Sequence, residues 1–161
     1  MALRFFDRKT SKIVFAPSVA SLTAPTRAEI NAGTVLATPG SAATESISDL
    51  GGWVSRNNPI TVIDLNSDFD KQEPGTFSAD GSSLTFYSDL TGEVIRTALA
   101  EGTVGYMILM WKGDVSGRKC QVWSVRVAAN NDLPSLGNEM HRFEVQFAPF
   151  DAPAKNAVIP A

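Results

Sequence analysis

The stretch VGYMILMWKGDVSGRKCQVWSVRVAA, residues 104–129, decides the fold class. Residues 104–111 are apolar at nearly every position, which is typical of a strand that is covered on both faces. Residues 118–129 alternate between two faces, as a strand that separates two different environments does. A polar turn at residues 113–117 connects the two segments, so we predict an antiparallel hairpin whose first strand is central in a sheet.

Other strands are predicted on both sides of this hairpin. Residues 82–88 alternate between apolar and polar side chains, and residues 140–149 place three large apolar side chains on one face. Shorter apolar runs at residues 12–17 and 61–66 have the same period and predict two more strands. Antiparallel strands that follow one another in this way favour a sandwich or a barrel.

Two helices are predicted between the strands. Residues 22–33 have a proline near the start and a glycine after the end, which is the usual asymmetry of a short helix. A second, firmer helix is expected to begin at Asp89 or Thr91 and to end at Gly102. Its apolar residues form one stripe, so this helix should lie on the sheet: Val94, Ile95, Ala98 and Leu99.

These elements predict a mainly β chain, an antiparallel β-sandwich or barrel with one flanking α-helix and a short N-terminal helix. The pair Gly51 and Gly52 interrupts an apolar stretch and predicts a bulge or a close approach of two backbone segments. A length of 161 residues fits a single domain. We assign all of it to one domain, with an N-terminal arm (1–11), a long inter-strand loop (66–81) and a C-terminal arm (151–161).

The composition excludes several classes of protein. The 43% hydrophobic residues are too many for a disordered chain, and a net charge of −3 disfavours tight binding to nucleic acid. No segment approaches the roughly 20 apolar residues that span a bilayer, and the first residues do not resemble a signal peptide. We therefore expect a soluble protein that is made in the cytosol and has no membrane partner.

Catalytic, cofactor and metal sites are not predicted. The single histidine, His141, has no nucleophile motif around it, and the single cysteine, Cys120, lies within an alternating strand and is expected to be an inert packed thiol. Acidic residues between 64 and 73 suggest calcium, but the EF-hand template fails because Lys71 replaces the required glycine and Phe77 the bidentate glutamate. A calcium loop of another kind stays open as a weaker alternative.

The long loop and the two arms suggest contacts with other proteins. Phe5 and Phe6 lie in the N-terminal arm, and Phe69 and Phe77 lie in the loop together with charges of both signs. Apolar side chains on arms and loops often mark protein–protein interfaces. The alternative is that these segments are flexible and that their aromatic residues are incidental.

The order of several segments resembles the major tail proteins, or tail tube proteins, of long non-contractile-tailed bacteriophages, notably those of actinobacterial hosts. The most specific segment is the proline-started PTRAEINAG at residues 25–33, just after a short strand. The similarity covers roughly residues 13–149. The other matching segments are FAPSVA (15–20), GGW (51–53), PGTFSADGSSLTFYSD (74–89), GYMILMWKG (105–113), WSVRVAANNDLP (123–134) and NEMHRFEVQFAP (138–149).

The resemblance implies a structural virion protein without catalytic residues. It implies hexameric rings that stack into a smooth tube, formed around a tape measure protein and on tail initiation proteins, closed by a terminator and traversed by phage DNA that it does not bind specifically. Contacts between rings are expected from the long loop and the arms. The residues carried over to that interface are Phe5, Phe6, Asp68, Phe69, Asp70, Lys71, Glu73 and Phe77.

The acidic balance also fits a conduit for DNA, because phosphates slide past an acidic or neutral wall and adhere to a basic one. Some of the acidic residues should therefore face the lumen, the candidates being Asp64, Asp114 and Glu144, with Asp68 and Asp70 also considered. Two other functions stay open. One is a monomeric ligand-binding β-sandwich that presents Trp53, Trp111 or Trp123, although core packing is the expected role of these residues; the other is a tail terminator or completion protein that forms a single ring.

Overall fold

The computed structural model describes residues 4–40 and 45–161, so the first three residues of the predicted N-terminal arm lie outside the described part. The described part is mainly β, as predicted, with two short helices. The helices are α1 (Arg27–Ala32) and α2 (Val94–Ala98). The strands are β1 (Lys12–Ala16), β2 (Thr34–Ala37), β3 (Ile47–Gly51), β4 (Ser55–Asn57), β5 (Ile60–Val62), β6 (Lys71–Glu73), β7 (Phe77–Ala79), β8 (Ser82–Tyr87), β9 (Val104–Met110), β10 (Lys119–Leu133), β11 (Arg142–Pro149) and β12 (Ala154–Val158).

An eight-stranded sheet forms the body of the molecule, in the order β2-β1-β9-β10-β11-β8-β3, with β12 also paired to β10. Every pairing in it is antiparallel. The predicted hairpin is confirmed as β9 and β10, and β9 lies between β1 and β10 with its residues buried toward both faces. A central strand covered on both sides needs the continuous apolar run that its sequence contains.

The larger of two cores, the inner core, lies on one face of this sheet. Trp123, Val125 and Val127 of β10 point into it, and the Trp53 and Trp123 rings are nearly perpendicular, with centroids 5.7 Å apart. Strands from both ends of the sheet contribute side chains, so the sheet wraps around its own contents. The alternation predicted from the sequence of β10 therefore assigns its side chains correctly to the two faces of the sheet.

The smaller outer core lies on the opposite face, between the sheet and α1. It contains Cys120 and Val122 of β10, and Ile30 of α1 packs onto this side. The helix begins with a capping box, in which the Thr26 hydroxyl accepts the Glu29 N–H and the Glu29 carboxylate accepts the Thr26 N–H. Backbone donation from Thr26, followed by that from Ala20, lowers the pKa of Glu29 below its usual value.

The predicted C-terminal arm contains a strand that packs on the body. Residues 154–158 form β12, which pairs with the first residues of β10, and Ala157 and Ile159 are buried in the outer core. The long strand β10 extends far enough to pair with β11 along one part and with β12 along another. The alanine-rich sequence of β12 has weak β propensity, which is why its own pattern did not reveal it.

The second helix is much shorter than the sequence predicted, since α2 has five residues and Val94 is exposed. Only Ile95 and Leu99 reach the inner core. No side chain next to the helix caps it; instead, a carboxylate oxygen of the buried Glu45 accepts the Ile95 N–H at 2.8 Å. A helix of this length depends on tertiary contacts rather than on its own propensity.

Candidate assembly surface

Residues 66–81 are not a plain loop but the second half of a β-hairpin that projects from the body. Strands β4 and β7 pair at its base, and β5 and β6 pair further out, with Val62 opposite Lys71. The Asn57 amide joins the two halves, because its Nδ2 donates to the Gly75 carbonyl at 3.1 Å and its Oδ1 accepts the Gly75 N–H at 3.4 Å. We call residues 55–79 the projecting hairpin and residues 63–70 its tip.

The base of the hairpin joins the body at Gly52 and Trp53 and through Ala79, which packs against the inner core. Gly52 and Trp53 both have positive φ, +77° and +61°, and a Cβ on Gly52 would lie 2.6 Å from the Gly81 carbonyl oxygen. This is the close backbone approach that the Gly51–Gly52 pair predicted. The Trp53 N–H donates to the Ser82 hydroxyl, and its ring is buried in the inner core, so Trp53 anchors the hairpin.

Beyond this anchor the hairpin exposes large apolar side chains. Leu65 is 100% exposed and Phe69 is 73% exposed, which is unusual for side chains of this size. The exposed apolar set of the hairpin is Ile60, Val62, Ile63, Leu65, Phe69 and Phe77. The predicted interface residues Asp68, Phe69, Asp70, Lys71, Glu73 and Phe77 are brought together on this one projection, and all are exposed.

Charge on the hairpin is mostly negative. Residues 63–73 carry four carboxylates and one lysine, and Lys71 lies 3.9 Å from Asp64 in a loose, exposed ion pair. Such pairs stabilise a fold by at most about 1 kcal/mol. The hairpin therefore presents an acidic and apolar surface that its own contacts do not neutralise.

The N-terminal arm is a second exposed segment. Phe5 and Phe6 are both exposed, and the turn that follows them is closed by the Thr10 and Ser11 N–H groups, which donate to the Asp7 carbonyl. The arm borders a groove of about 470 Å³ between the two end strands of the sheet, β2 and β3. We call it the edge groove; its lining includes Asp7, Arg8, Lys9, Ile13, Leu36, Ala37, Ile47, Leu50 and Trp111.

One face of β8 and β11 carries polar side chains. Cross-strand neighbours on it are Glu144 with Thr85 and Gln146 with Ser83, and the Gln146 amide donates to the Glu144 carboxylate at 2.7 Å. Of the other lumen candidates, Asp64 lies on the hairpin tip and is half-buried.

Asp114 has a different environment, because it accepts from Lys12 at 2.7 Å and from Arg27 at 2.6 Å and its side chain is only 18% exposed. Burial would raise its pKa, but the hydrogen bonds from Lys12 and Arg27 outweigh burial and hold the pKa of Asp114 below its usual value. Arg27 also donates to the Pro160 carbonyl, so the cluster ties α1 to the C-terminal segment. Its charge is thus neutralised within the molecule, a role that the sequence did not indicate.

The single cysteine and the single histidine do not lie together in a site: Cys120 is buried in the outer core, and His141 is exposed beside Asp132. Burial raises the pKa of the Cys120 thiol to about 11, which makes it a poor nucleophile at neutral pH. His141 is exposed at the sheet surface and lies 3.4 Å from Asp132, which Arg96 already holds with two hydrogen bonds. Among the described residues, no group of three or more acidic, histidine or cysteine side chains is placed to hold a metal ion.

The tryptophans do not form a platform for a ligand. Trp53 and Trp123 are buried in the inner core, and Trp111 is partly buried against it, as the core-packing interpretation predicted. Within the described ranges, no helix is long and apolar enough to cross a bilayer. Other exposed apolar side chains lie outside the hairpin and the arm, namely Leu90, Leu136, Met140 and Phe150.

Comparison with known proteins gives a consistent result. The profile of the phage tail tube protein family matches residues 1–161, the whole chain. No curated protein sequence matches. Among solved structures, a chain of the anti-feeding prophage baseplate has a TM-score of 0.61 at 7% identity, covering 95% of this chain and 97% of that one. A chain from the tail of an empty gene transfer agent particle has a TM-score of 0.54 at 10% identity, covering 97% and 100%. At these identities the similarity shows the fold.

Proposed function

The chain belongs to the phage tail tube protein family, and from that premise we propose that it forms hexameric rings that stack into the tube of a phage tail. As a member of this family it is a structural protein of the virion tail. Phage DNA passes through the lumen during ejection into the host. Subunits assemble in the host cytoplasm with a tape measure protein, tail initiation proteins and a terminator.

The observation that carries the proposal is the projecting hairpin. Its side chains Leu65 and Phe69 are 100% and 73% exposed, and neither belongs to one of the two cores. Removing such side chains from water stabilises an assembly by roughly 25 cal/mol for each Å² of apolar surface. A hairpin of one subunit that binds a different surface of the next makes a head-to-tail contact, which does not close on itself and so builds a filament.

Contacts within a ring are supported by the ends of the sheet. In the part of the chain that the structure describes, β2 and β3 are the end strands, and each presents one edge that the sheet does not pair. Neighbours that join edge to edge satisfy these backbone groups, which otherwise invite nonspecific association. The polar face of β8 and β11, with Glu144, then forms part of the lumen wall, where weak net charge lets phosphates slide. Asp64 remains a second candidate for that wall.

Electron microscopy of the purified protein tests the proposal. Negative-stain images over a series of protein concentrations should contain tubes or stacked rings at the high end. In a variant with residues 63–70 replaced by Asn-Gly, a two-residue turn still joins the neighbours Val62 and Lys71. This variant should unfold at the wild-type temperature and form no tubes.

Two outcomes would contradict the proposed function, and a third would contradict the role of the hairpin. Single wild-type rings that never stack identify a terminator or completion protein, and a wild-type chain that stays monomeric at every concentration contradicts self-assembly. Tubes that form normally without the tip remove the hairpin from the contacts between rings.

A further inference from the structure

We propose that residues 154–161 are an autoinhibitory strap, which covers part of one edge of β10 and so prevents this edge from pairing with a second copy of the chain. We call these residues the C-terminal strap. Arg27 of α1 fixes the strap to the body. The inference goes beyond the proposed function, because it concerns the single chain before any assembly.

The strap covers a part of the β10 edge that β11 leaves open. Val122 pairs with Ile108 of β9 and with Ala154 of β12, so β12 lies on the edge of β10 opposite β9. Strand β11 follows this second edge only from residue 125 onward. Among the described strands, β12 alone pairs with it at residues 119–122. Without the strap, the backbone N–H and C=O groups there would face solvent, and unpaired edges of this kind accept strands of other chains.

Few apolar contacts hold the strap in place. Its side chains Ala157 and Ile159 are buried in the outer core, whereas Lys155, Asn156 and Val158 are exposed. Because alanine buries little apolar surface, most of this contact comes from one isoleucine. Segments with few buried contacts open locally, without unfolding of the whole molecule. A polar contact that joins the strap to the body therefore has a large influence on whether it stays closed.

Arg27 provides this contact. Its Nη2 donates to the Pro160 carbonyl at 2.7 Å, and its Nη1 donates to the Asp114 carboxylate at 2.6 Å. Asp114 also accepts from Lys12, so the carboxylate that orients Arg27 is itself held from β1. Hydrogen bonds from a charged donor are stronger than those between neutral groups. One side chain of α1 thus connects the strap to the β9–β10 turn and keeps it on its own chain.

The thiol of Cys120 reports whether the strap is closed, because it is 2% exposed and its residue pairs with β12. Arg27→Gln removes the charged donor and should raise the rate at which a thiol reagent modifies Cys120 at pH 8 by about tenfold or more. Low concentrations of urea should leave this rate unchanged, because local opening exposes little surface. The control Arg142→Gln removes a similarly exposed arginine that is paired with Glu139 at the other end of β10, and it should react like the wild type.

A disulfide can close the strap covalently. The residue opposite Cys120 is Ala157, and both side chains belong to the outer core. The Cα atoms of such antiparallel pairs lie about 4.5–5.5 Å apart, which is within the range of a disulfide. In Ala157→Cys, oxidised glutathione should therefore join the two thiols and hold the strap on the body.

Analytical ultracentrifugation measures the effect on association, at protein concentrations below those that give tubes. The Arg27→Gln chain should form oligomers that the wild type and Arg142→Gln do not form, because its uncovered β10 edge pairs with another copy. In the chain that carries both Arg27→Gln and Ala157→Cys, oxidation should return the protein to the size of the wild type. Reduction of the disulfide should restore the oligomers.

Three results would each overturn the inference. The first is a Cys120 modification rate in Arg27→Gln that equals the wild-type rate or follows global unfolding in urea. The second is an Arg27→Gln chain that remains as monomeric as the wild type, and the third is association that the disulfide does not suppress. All three are measured on the unassembled protein, so they are separate from the electron microscopy that tests tube formation.

Discussion

The body and the projecting hairpin are both antiparallel β-structure, yet they differ in what covers their side chains. Val125 and Val145 of the body are fully buried between layers of the same chain, whereas Leu65 and Phe69 of the hairpin are exposed to solvent. The strands of the body have partners within the molecule, and the hairpin pairs only with itself. The large core side chains of the body are therefore covered within one chain, whereas the large apolar side chains of the hairpin are exposed.

The two regions also use charge differently. Asp114 in the body is enclosed between Lys12 and Arg27, both within 2.7 Å. Asp64 in the hairpin has only Lys71, at 3.9 Å and in contact with water. Charges in the body hold its own elements together, and charges in the hairpin remain available for a partner. This difference predicts which substitutions change folding and which change assembly.

The largest contrast is expected from removing one aromatic side chain in each region. Trp123→Ala leaves a cavity in the inner core and should lower the free energy of unfolding by about 3–5 kcal/mol. Phe69→Ala removes an exposed side chain and should change it by less than about 0.5 kcal/mol. Urea denaturation followed by circular dichroism measures both. Equal losses would mean that the hairpin is packed in the free protein, and the comparison would then break down.

A smaller contrast is expected from the two aspartates. Asp114→Asn weakens the cluster with Lys12 and Arg27 and should cost roughly 1–2 kcal/mol at pH 7, whereas Asp64→Asn should cost less than about 0.5 kcal/mol. Because the pKa of Asp114 is lowered in the folded state, its contribution is present above the ordinary aspartate pKa and is lost as the pH falls through the folded pKa.

The wild-type and Asp114→Asn proteins should therefore differ in stability at neutral pH and converge below about pH 4. Thermal unfolding between about pH 2.5 and pH 7 measures this convergence. A constant difference across that range would show that the Asp114 carboxylate is not the titrating group.

The smallest expected effect on stability comes from comparing the reactivity of the buried Cys120 thiol with that of a thiol introduced on the hairpin. Cys120 is 2% exposed and burial raises its pKa to about 11, so a thiol reagent at pH 8 should leave it unmodified until the protein unfolds. Gln72→Cys places a second thiol on the exposed hairpin. In the unassembled protein, the reagent should modify this thiol as soon as the two are mixed. In assembled tubes the hairpin thiol should become protected. Rapid labelling of Cys120 in the native state would show that the outer core opens readily.

The sequence predicted the body better than the connections between its parts. The alternation in β10 and β11 is local, so the residues next to Trp123 and Phe143 were enough to assign the faces of both side chains correctly. The helix α2 was predicted too long, because its position depends on Glu45, which lies 50 residues away and leaves no mark on the local pattern. The long loop was predicted to be exposed, which the structure confirms, but its own strand pairing was missed because three-residue strands carry almost no periodicity.

The sequence by itself determined that this chain is a β protein and that residues 66–81 form an exposed segment with acidic and aromatic side chains. These properties follow from the side-chain period of a strand and from composition, both of which are local. Only the tertiary structure decided that β12 completes the sheet, that Asp114 meets Lys12 and Arg27 from 102 and 87 residues away, and that an open groove separates β2 from β3. Those features depend on the register and curvature of strands that lie far apart in the chain, and no local pattern encodes them.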